Sequence, residues 1–199
     1  MALLAETSAV ERVVSGFKTL SSEELGMYTV DRLTPKAVVA PESVEEVSEI
    51  MKRAGEEGVS VTPWGGGSMM TLGGIPRRMD LVLLLQKLNR VVEYAPEDLV
   101  VSVEGGIRLA DLQKVLVREK QFLPLDPPYA SSATLGGIVA ANSFGPRRYL
   151  YGGVRDLLLG IKMVHADGAV TKAGGKVMKN VAGYDMKKLY VGSLGTLGV

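Results

Sequence analysis

The sequence contains no cysteine, which removes disulfide staples, thiolate metal centres and cysteine nucleophiles together. Histidine is nearly absent as well. His165 is the only one, so histidine-built metal sites and nucleophile–histidine pairs are excluded. No apolar run is long enough to cross a bilayer, which argues against direct membrane insertion. Neither sign of charge dominates. The 23 basic and 22 acidic side chains leave a net charge of +1, which speaks against nucleic acid or an anionic membrane as partner. Met1–Val10 lacks a basic stretch before its apolar residues and carries Glu6, a poor signal peptide. The chain therefore reads as cytoplasmic, with any membrane association left to partners.

What is present is an ordinary globular composition with glycine in clusters. The 199 residues suit one large domain or two small subdomains sharing a core. A helical pattern covers Ala9–Leu20, and Ala37–Ala40 is a short strand. Ser43 and Glu46 have capping-box spacing, and Val44, Val47, Ile50, Met51 and Ala54 then repeat at helical intervals up to Gly58. With Val59–Thr62 as the next strand, this is a small βαβ unit, followed by a buried strand at Asp80–Leu85. The second half reads as antiparallel. Val91–Tyr94 and Leu99–Val103 flank a turn at Ala95–Asp98, and Leu158–Val164 and Ala169–Lys172 flank Ala166-Asp167-Gly168. Leu109, Leu112, Val115 and Leu116 mark a helix between them, and a last helix is expected at Asp185–Tyr190. The fold class is α+β.

Three glycine segments fall at loop positions: Pro63–Met69, Thr134–Pro146 and Gly192–Val199. Any one alone is a tight turn or a close-packing site. Each carries a Ser or Thr beside its glycines, and together they suit a long ligand held by backbone N–H groups. The first loop, Pro63-Trp64-Gly65-Gly66-Gly67-Ser68, leads into Met69–Pro76, which cannot start a good helix. No Walker lysine follows Gly67, and no G-x-G-x-x-G joins a strand to a helix. Asp126–Thr134 is rigid at its prolines and hydroxyl-rich after them, a capped surface loop or a set of donors for a polar cofactor. Gly136, Gly137, Ala140 and Ala141 make a short helix that a flat group can approach. Lys179 and Asn180 stay undecided, while Lys176 reads as a solvated turn. Arg147, Arg148 and Arg155 suit a carboxylate or an ion pair, with a structural or interface role favoured for Arg155 and Asp156. His165 reads as an edge residue beside a turn. No catalytic residue and no metal ligand is named.

From Thr34 to Val199 the chain resembles the FAD-binding domain of the vanillyl-alcohol-oxidase/p-cresol-methylhydroxylase superfamily. The carriers are Pro41–Glu46, Pro63–Ser68, Asp126–Pro128 with Thr134–Gly137, and Gly192–Val199. The runs Gly145–Arg148, Val154–Asp156 and Val177–Asp185 resemble the E-subunit branch of bacterial glycolate oxidases. The resemblance implies a single FAD-binding domain over residues 1–199, with a βαβ subdomain at 30–88 and a larger antiparallel subdomain at 89–199. The pyrophosphate would lie on Gly65, Gly66, Gly67, Ser68 and Met69, at the end of Pro63-Trp64. Pro127, Ser132, Ala133, Thr134, Gly136 and Gly137 would meet the ribityl chain and flavin, with polar contacts from Asn142, Ser143 and Gly145. Backbone groups of Gly195, Gly198 and Val199 would hold the adenosine end.

Two departures carry consequences. Some relatives place a flavin-bonding histidine where this chain has Ser68, so FAD is expected to be non-covalent. Many carry Glu where this chain has Leu194, so one polar contact is expected to be missing. The family normally continues past this length into a cap domain, so the chain is either a naturally short protein or a fragment, and in both cases it is expected to offer by itself a cradle with an open flavin face. The implied function is the FAD-binding subunit of a glycolate oxidase-like complex that oxidises a 2-hydroxy acid by electron transfer through flavin. Its implied partners are a second flavoprotein subunit and an iron–sulfur subunit, and it would not act alone. The alternative is a structural or regulatory subunit with an empty cradle. A different nucleotide binder is weaker, since the Walker and Rossmann signals are absent.

Overall fold

The computed structural model of the chain describes residues 9–175 and 184–199. Lys176, Lys179 and Asn180 lie outside the described residues.

The first half is built on a three-stranded parallel sheet. Strands β1 (Ala37–Val39), β2 (Val61–Trp64) and β3 (Leu81–Leu84) lie in the order β1-β3-β2, so the third strand inserts between the two joined by the helix. That position explains the unbroken apolar run. All four β3 residues are buried because both faces are covered. Helix α1 (Val44–Glu56) turns Val47, Ile50, Met51 and Ala54 onto Val39, Leu81 and Leu83. On the opposite face, Val38, Val82, Leu84 and Trp64 pack with Val30 and Met79. Each fully buried Leu or Val contributes about 1.5–3 kcal/mol relative to exposure.

Two local signals need adjusting. Ser43 caps α1 by accepting from the Glu46 N–H at 3.1 Å, but the Glu46 carboxylate accepts from the Glu42 N–H at 2.7 Å, one residue before the cap. The first helix, expected over Ala9–Leu20, occupies residues 9–14, after which Thr19 bridges to Val39. Pairing with β1 claims the end of that segment.

The starts of the three strands are tied together by Asp80. Its carboxylate accepts from the Ser60 N–H at 3.0 Å, the Ser60 hydroxyl at 2.8 Å and Arg78 Nε at 3.0 Å, and pairs with Lys36 Nζ at 3.0 Å. Burial works to raise the Asp80 carboxyl, but the Ser60, Lys36 and Arg78 hydrogen bonds outweigh it and hold it well below the usual carboxylate range. This clamp lies at the strand N-termini, so the opposite ends carry the loops free to serve a ligand.

The second half contains two antiparallel pairs. Strands β4 (Val91–Ala95) and β5 (Val100–Val103) form one, with an irregularity between Val91 and Glu93. Helix α2 (Leu109–Leu116) packs on it through Leu112 and Leu116. Short helices α3 (Leu135–Ala141), α4 (Arg148–Tyr151) and α5 (Val154–Leu157) precede the second pair, β6 (Gly160–Val164) and β7 (Val170–Gly174). Among the described residues the two pairs are separate two-stranded sheets. Helix α6 (Lys187–Tyr190) precedes the C-terminal segment. The cores of the two halves run together: Val164 of β6 lies in the cluster under α1, and the Ser48 hydroxyl of α1 donates to the Gly168 carbonyl at 2.6 Å.

Candidate functional site

The loop Gly65–Met69 leaves the C-terminal end of β2 and is sealed against the segment Ser132–Thr134. The seal is what Gly66 is for. A Cβ there would fall 1.9 Å from the Ser132 carbonyl oxygen, and one at Gly65 would fall 2.2 Å from Thr134 Oγ1. Gly67 has φ +71° and faces the Trp64 indole, so it meets both a steric and a conformational demand. Gln86 donates from Nε2 to the Gly65 carbonyl at 2.9 Å, which fixes the acceptor side of the loop. The donor side is open. Among the described residues no acceptor reaches the N–H groups of Gly66, Gly67, Ser68 or Met69. A half-buried loop with consecutive unpaired N–H donors suits an anion.

The three glycine segments meet. Pro63 touches Gly195, where an added Cβ would lie 3.4 Å from the proline ring. Gly73 approaches the Leu194 side chain, and Leu194 donates its N–H to the Ala140 carbonyl at the end of α3 at 2.8 Å. Gly192 donates to the Val139 carbonyl at 3.0 Å and lies against Asn142. A cavity of about 250 Å³ opens where Pro63, Gly195, Gly198 and Val199 meet Met51 and Val61. Its walls are mostly apolar side chains and glycine backbone, with Thr196 among them, which suits the flat end of a ligand. A second cavity, about 400 Å³, lies beside Gln86, Asn89 and Arg108 and includes no residue expected in the site.

Some expected residues are already engaged within the chain. Thr134 is buried and caps α3, its Oγ1 accepting from the Gly137 N–H at 3.4 Å. The Gly136 N–H donates to the Gly105 carbonyl at 2.7 Å, and a Cβ on Gly136 would lie 3.0 Å from the same oxygen. The close approach allowed by Gly136 is therefore filled by Gly105, and its N–H is not open to a ligand. The Val199 N–H and carbonyl both bond Val164 at 2.8 Å. Val199 also lines the cavity. Gly198 lies against the Val164 carbonyl. The Ser132 hydroxyl donates to the Tyr129 carbonyl at 3.2 Å, Ala133 and Pro127 are buried, and Ala133 joins the core below α3.

At the far end, Asn142 closes α3 in a left-handed conformation, φ 47°, and Ser143 is buried behind it. Gly145 lies against Asp126, whose Oδ2 accepts from the Arg147 N–H at 3.1 Å. Asp126 Oδ1 is buried with no partner among the described residues, an acceptor with spare capacity at the edge of the cradle. Arg155 and Asp156 serve the structure, Arg155 donating to the Val191 carbonyl at 3.3 Å and Asp156 accepting from the Gly153 N–H at 2.8 Å. His165 Nε2 bonds the Thr171 hydroxyl at 2.6 Å at the hairpin end. Gln86, Gly105 and Gly106 were missed. Gly106 carried a local signal, a glycine pair before α2, and a Cβ there would fall 1.9 Å from the Leu85 carbonyl. Gln86 carried none, because its reach to Gly65 depends on the strand order.

The site is a binding cradle of backbone donors, hydroxyls and an amide, with an apolar cavity at one end. A model described as an FAD binding domain matches residues 35–174. The glycolate oxidase subunit GlcD of Bacillus subtilis is 38% identical over 165 residues, covering 83% of this chain and 35% of that protein. The mitochondrial D-2-hydroxyglutarate dehydrogenase of Bos taurus is 33% identical over 199 residues, covering 98% of this chain and 37% of the relative. The chain thus spans about a third of the length of these curated relatives. Among solved structures, an alkyldihydroxyacetonephosphate synthase superposes with a TM-score of 0.71 at 29% identity, over 83% of this chain and 32% of the other.

Proposed function

The chain belongs to the FAD binding domain family, and from that premise we propose that it is the FAD-binding part of a flavoenzyme that oxidises 2-hydroxy acids. The observation that carries the reading is the run of unpaired N–H groups at Gly66–Met69 on a loop fixed from behind by Ser132–Thr134. The residues fit the cofactor. Those N–H groups would hold the pyrophosphate, the cavity at Pro63, Gly195 and Gly198 would take the adenosine end, and Ser132, Asn142 and Ser143 would line the flavin side. Ser68 can form no histidyl bond to flavin, so the cofactor is non-covalent. FAD, when bound, takes up the hydride equivalent of the alcohol and passes the electrons on. The chain's own residues bind and orient it, and no acid or base of the chain is assigned.

The finer reading is a glycolate oxidase-like, cytoplasmic complex in which this chain resembles the E subunit. A second flavoprotein subunit and an iron–sulfur subunit complete it. The likeness of two relatives named for 2-hydroxy acids supports the substrate class. The absence of cysteine supports placing any iron–sulfur cluster on another chain. The test is anaerobic addition of glycolate or D-2-hydroxyglutarate to the FAD-loaded chain, with and without co-purified subunits. Bleaching of the flavin by one of them supports the reading. Flavin that stays oxidised in the intact complex overturns the substrate class.

A further inference from the structure

We propose that Arg148 is the carboxylate anchor of this site, its guanidinium laid on the ring of Phe144 and gripping the carboxylate of the 2-hydroxy acid. The inference rests on the flavoenzyme reading and adds a substrate contact to it. Arg148 Cζ lies 4.2 Å from the Phe144 ring centroid. Stacking fixes the plane of the guanidinium and covers one face, while the five N–H donors lie in the plane and stay available. Among the described residues Arg148 makes no ion pair. Of the nearby carboxylates, Asp156 accepts from the Gly153 N–H at 2.8 Å and Asp126 Oδ2 from the Arg147 N–H at 3.1 Å, while Asp126 Oδ1 lies against Gly145 with no partner among the described residues.

A Cβ added at Gly153 would lie 4.0 Å from Arg148 Nε and 3.8 Å from Asp156 Oδ2, so the space beside the guanidinium admits a small ligand and is bordered by the Asp156 carboxylate. Phe144, the platform, lies within Asn142–Gly145, the segment assigned to the flavin side, and the Arg148 N–H donates to the Gly145 carbonyl at 3.2 Å. The fork is thus held by the same turn that would border the flavin. A 2-hydroxy acid carries its carboxylate on the carbon that must face the flavin, and a two-bond grip on that carboxylate fixes the carbon. Arg147 does a different job. Its N–H is bound to Asp126 and its guanidinium lies 5.4 Å over Phe122, which also meets Tyr151 edge-on at 5.6 Å, so it positions the turn.

The test is titration of the FAD-loaded chain with oxalate, a small unreactive carboxylate, following the bound-flavin spectrum and the Arg148 Nε–H resonance. Both should shift saturably. Arg148→Gln should weaken oxalate binding about ten- to hundredfold while FAD still binds. Arg148→Lys, which keeps the charge and loses the fork, should fall between. Phe144→Leu, with the arginine intact, should also weaken it. Equal oxalate affinity in wild type and Arg148→Gln, or no saturable shift, overturns the anchor and leaves the cofactor reading standing. Failure of the folded chain to bind FAD, seen before oxalate is added, overturns the cofactor reading and this inference with it.

Discussion

Replacing Gly66 by alanine is the sharpest perturbation of the cradle. The new methyl group would fall 1.9 Å from the Ser132 carbonyl oxygen, 2.8 Å from its carbon and 3.4 Å from Ala133 Cα. All three are backbone atoms, so no flexible side chain can give way, and the loop must lift from Ser132–Thr134. Over-packing of this kind costs about 1–3 kcal/mol. For a chain of 199 residues that lowers the melting temperature by about 2–12 °C, leaving it folded. The effect on FAD is larger in proportion. A hydrogen bond to a charged group contributes about 1.5–3 kcal/mol, so loss of one N–H contact to the pyrophosphate weakens binding roughly ten- to 150-fold. Trp64 is the only tryptophan, is buried, and lies against Gly67, so its fluorescence reports both unfolding and FAD binding. Gly74→Ala is the control, since a Cβ there meets nothing within 4 Å. Wild-type FAD affinity in folded Gly66→Ala would refute the assignment of this loop to the pyrophosphate.

Three further outcomes follow from the same structure. Asp80→Asn should destabilise the chain by about 1–3 kcal/mol at neutral pH, the partners Lys36 and Arg78 being partly solvated. Because the folded Asp80 carboxyl lies below its unfolded value of about 3.9, its contribution is present above that pH and is lost as pH falls further. Urea midpoints recorded from about pH 7 down to about pH 3 should therefore fall less steeply for Asp80→Asn than for wild type. Ser43→Ala removes the α1 cap and should cost about 1 kcal/mol, a melting shift of about 2–4 °C by calorimetry. Acid precipitation of the FAD-loaded chain should leave all flavin in the supernatant; yellow pellet protein would contradict non-covalent binding at Ser68.

Much of this was legible in the residues. Helix α1 announced itself because its cap, period and stop are local, and β3 because four consecutive apolar residues need both faces covered. The insertion of β3 between β1 and β2 was not legible, since strand order is set by packing over long range. The end of the first helix was misplaced for the same reason: Thr19 is claimed by Val39, a partner twenty residues on. In the cradle, glycine marks close approach without saying to what. Gly66 turned out to lie on Ser132 and Gly136 on Gly105, so one glycine exposes donors and the other consumes one. Val199 shows the limit from the other side, because its bonds to Val164 depend on β6, far back in sequence.

The central claim is that the three converging segments form a working FAD cradle. It is tested most directly by titrating the folded chain with FAD while following Trp64 fluorescence and counting bound flavin. The account predicts saturable quenching at one FAD per chain, with a dissociation constant on the order of micromolar or tighter. A chain that unfolds cooperatively yet neither quenches nor retains FAD in that range would contradict it.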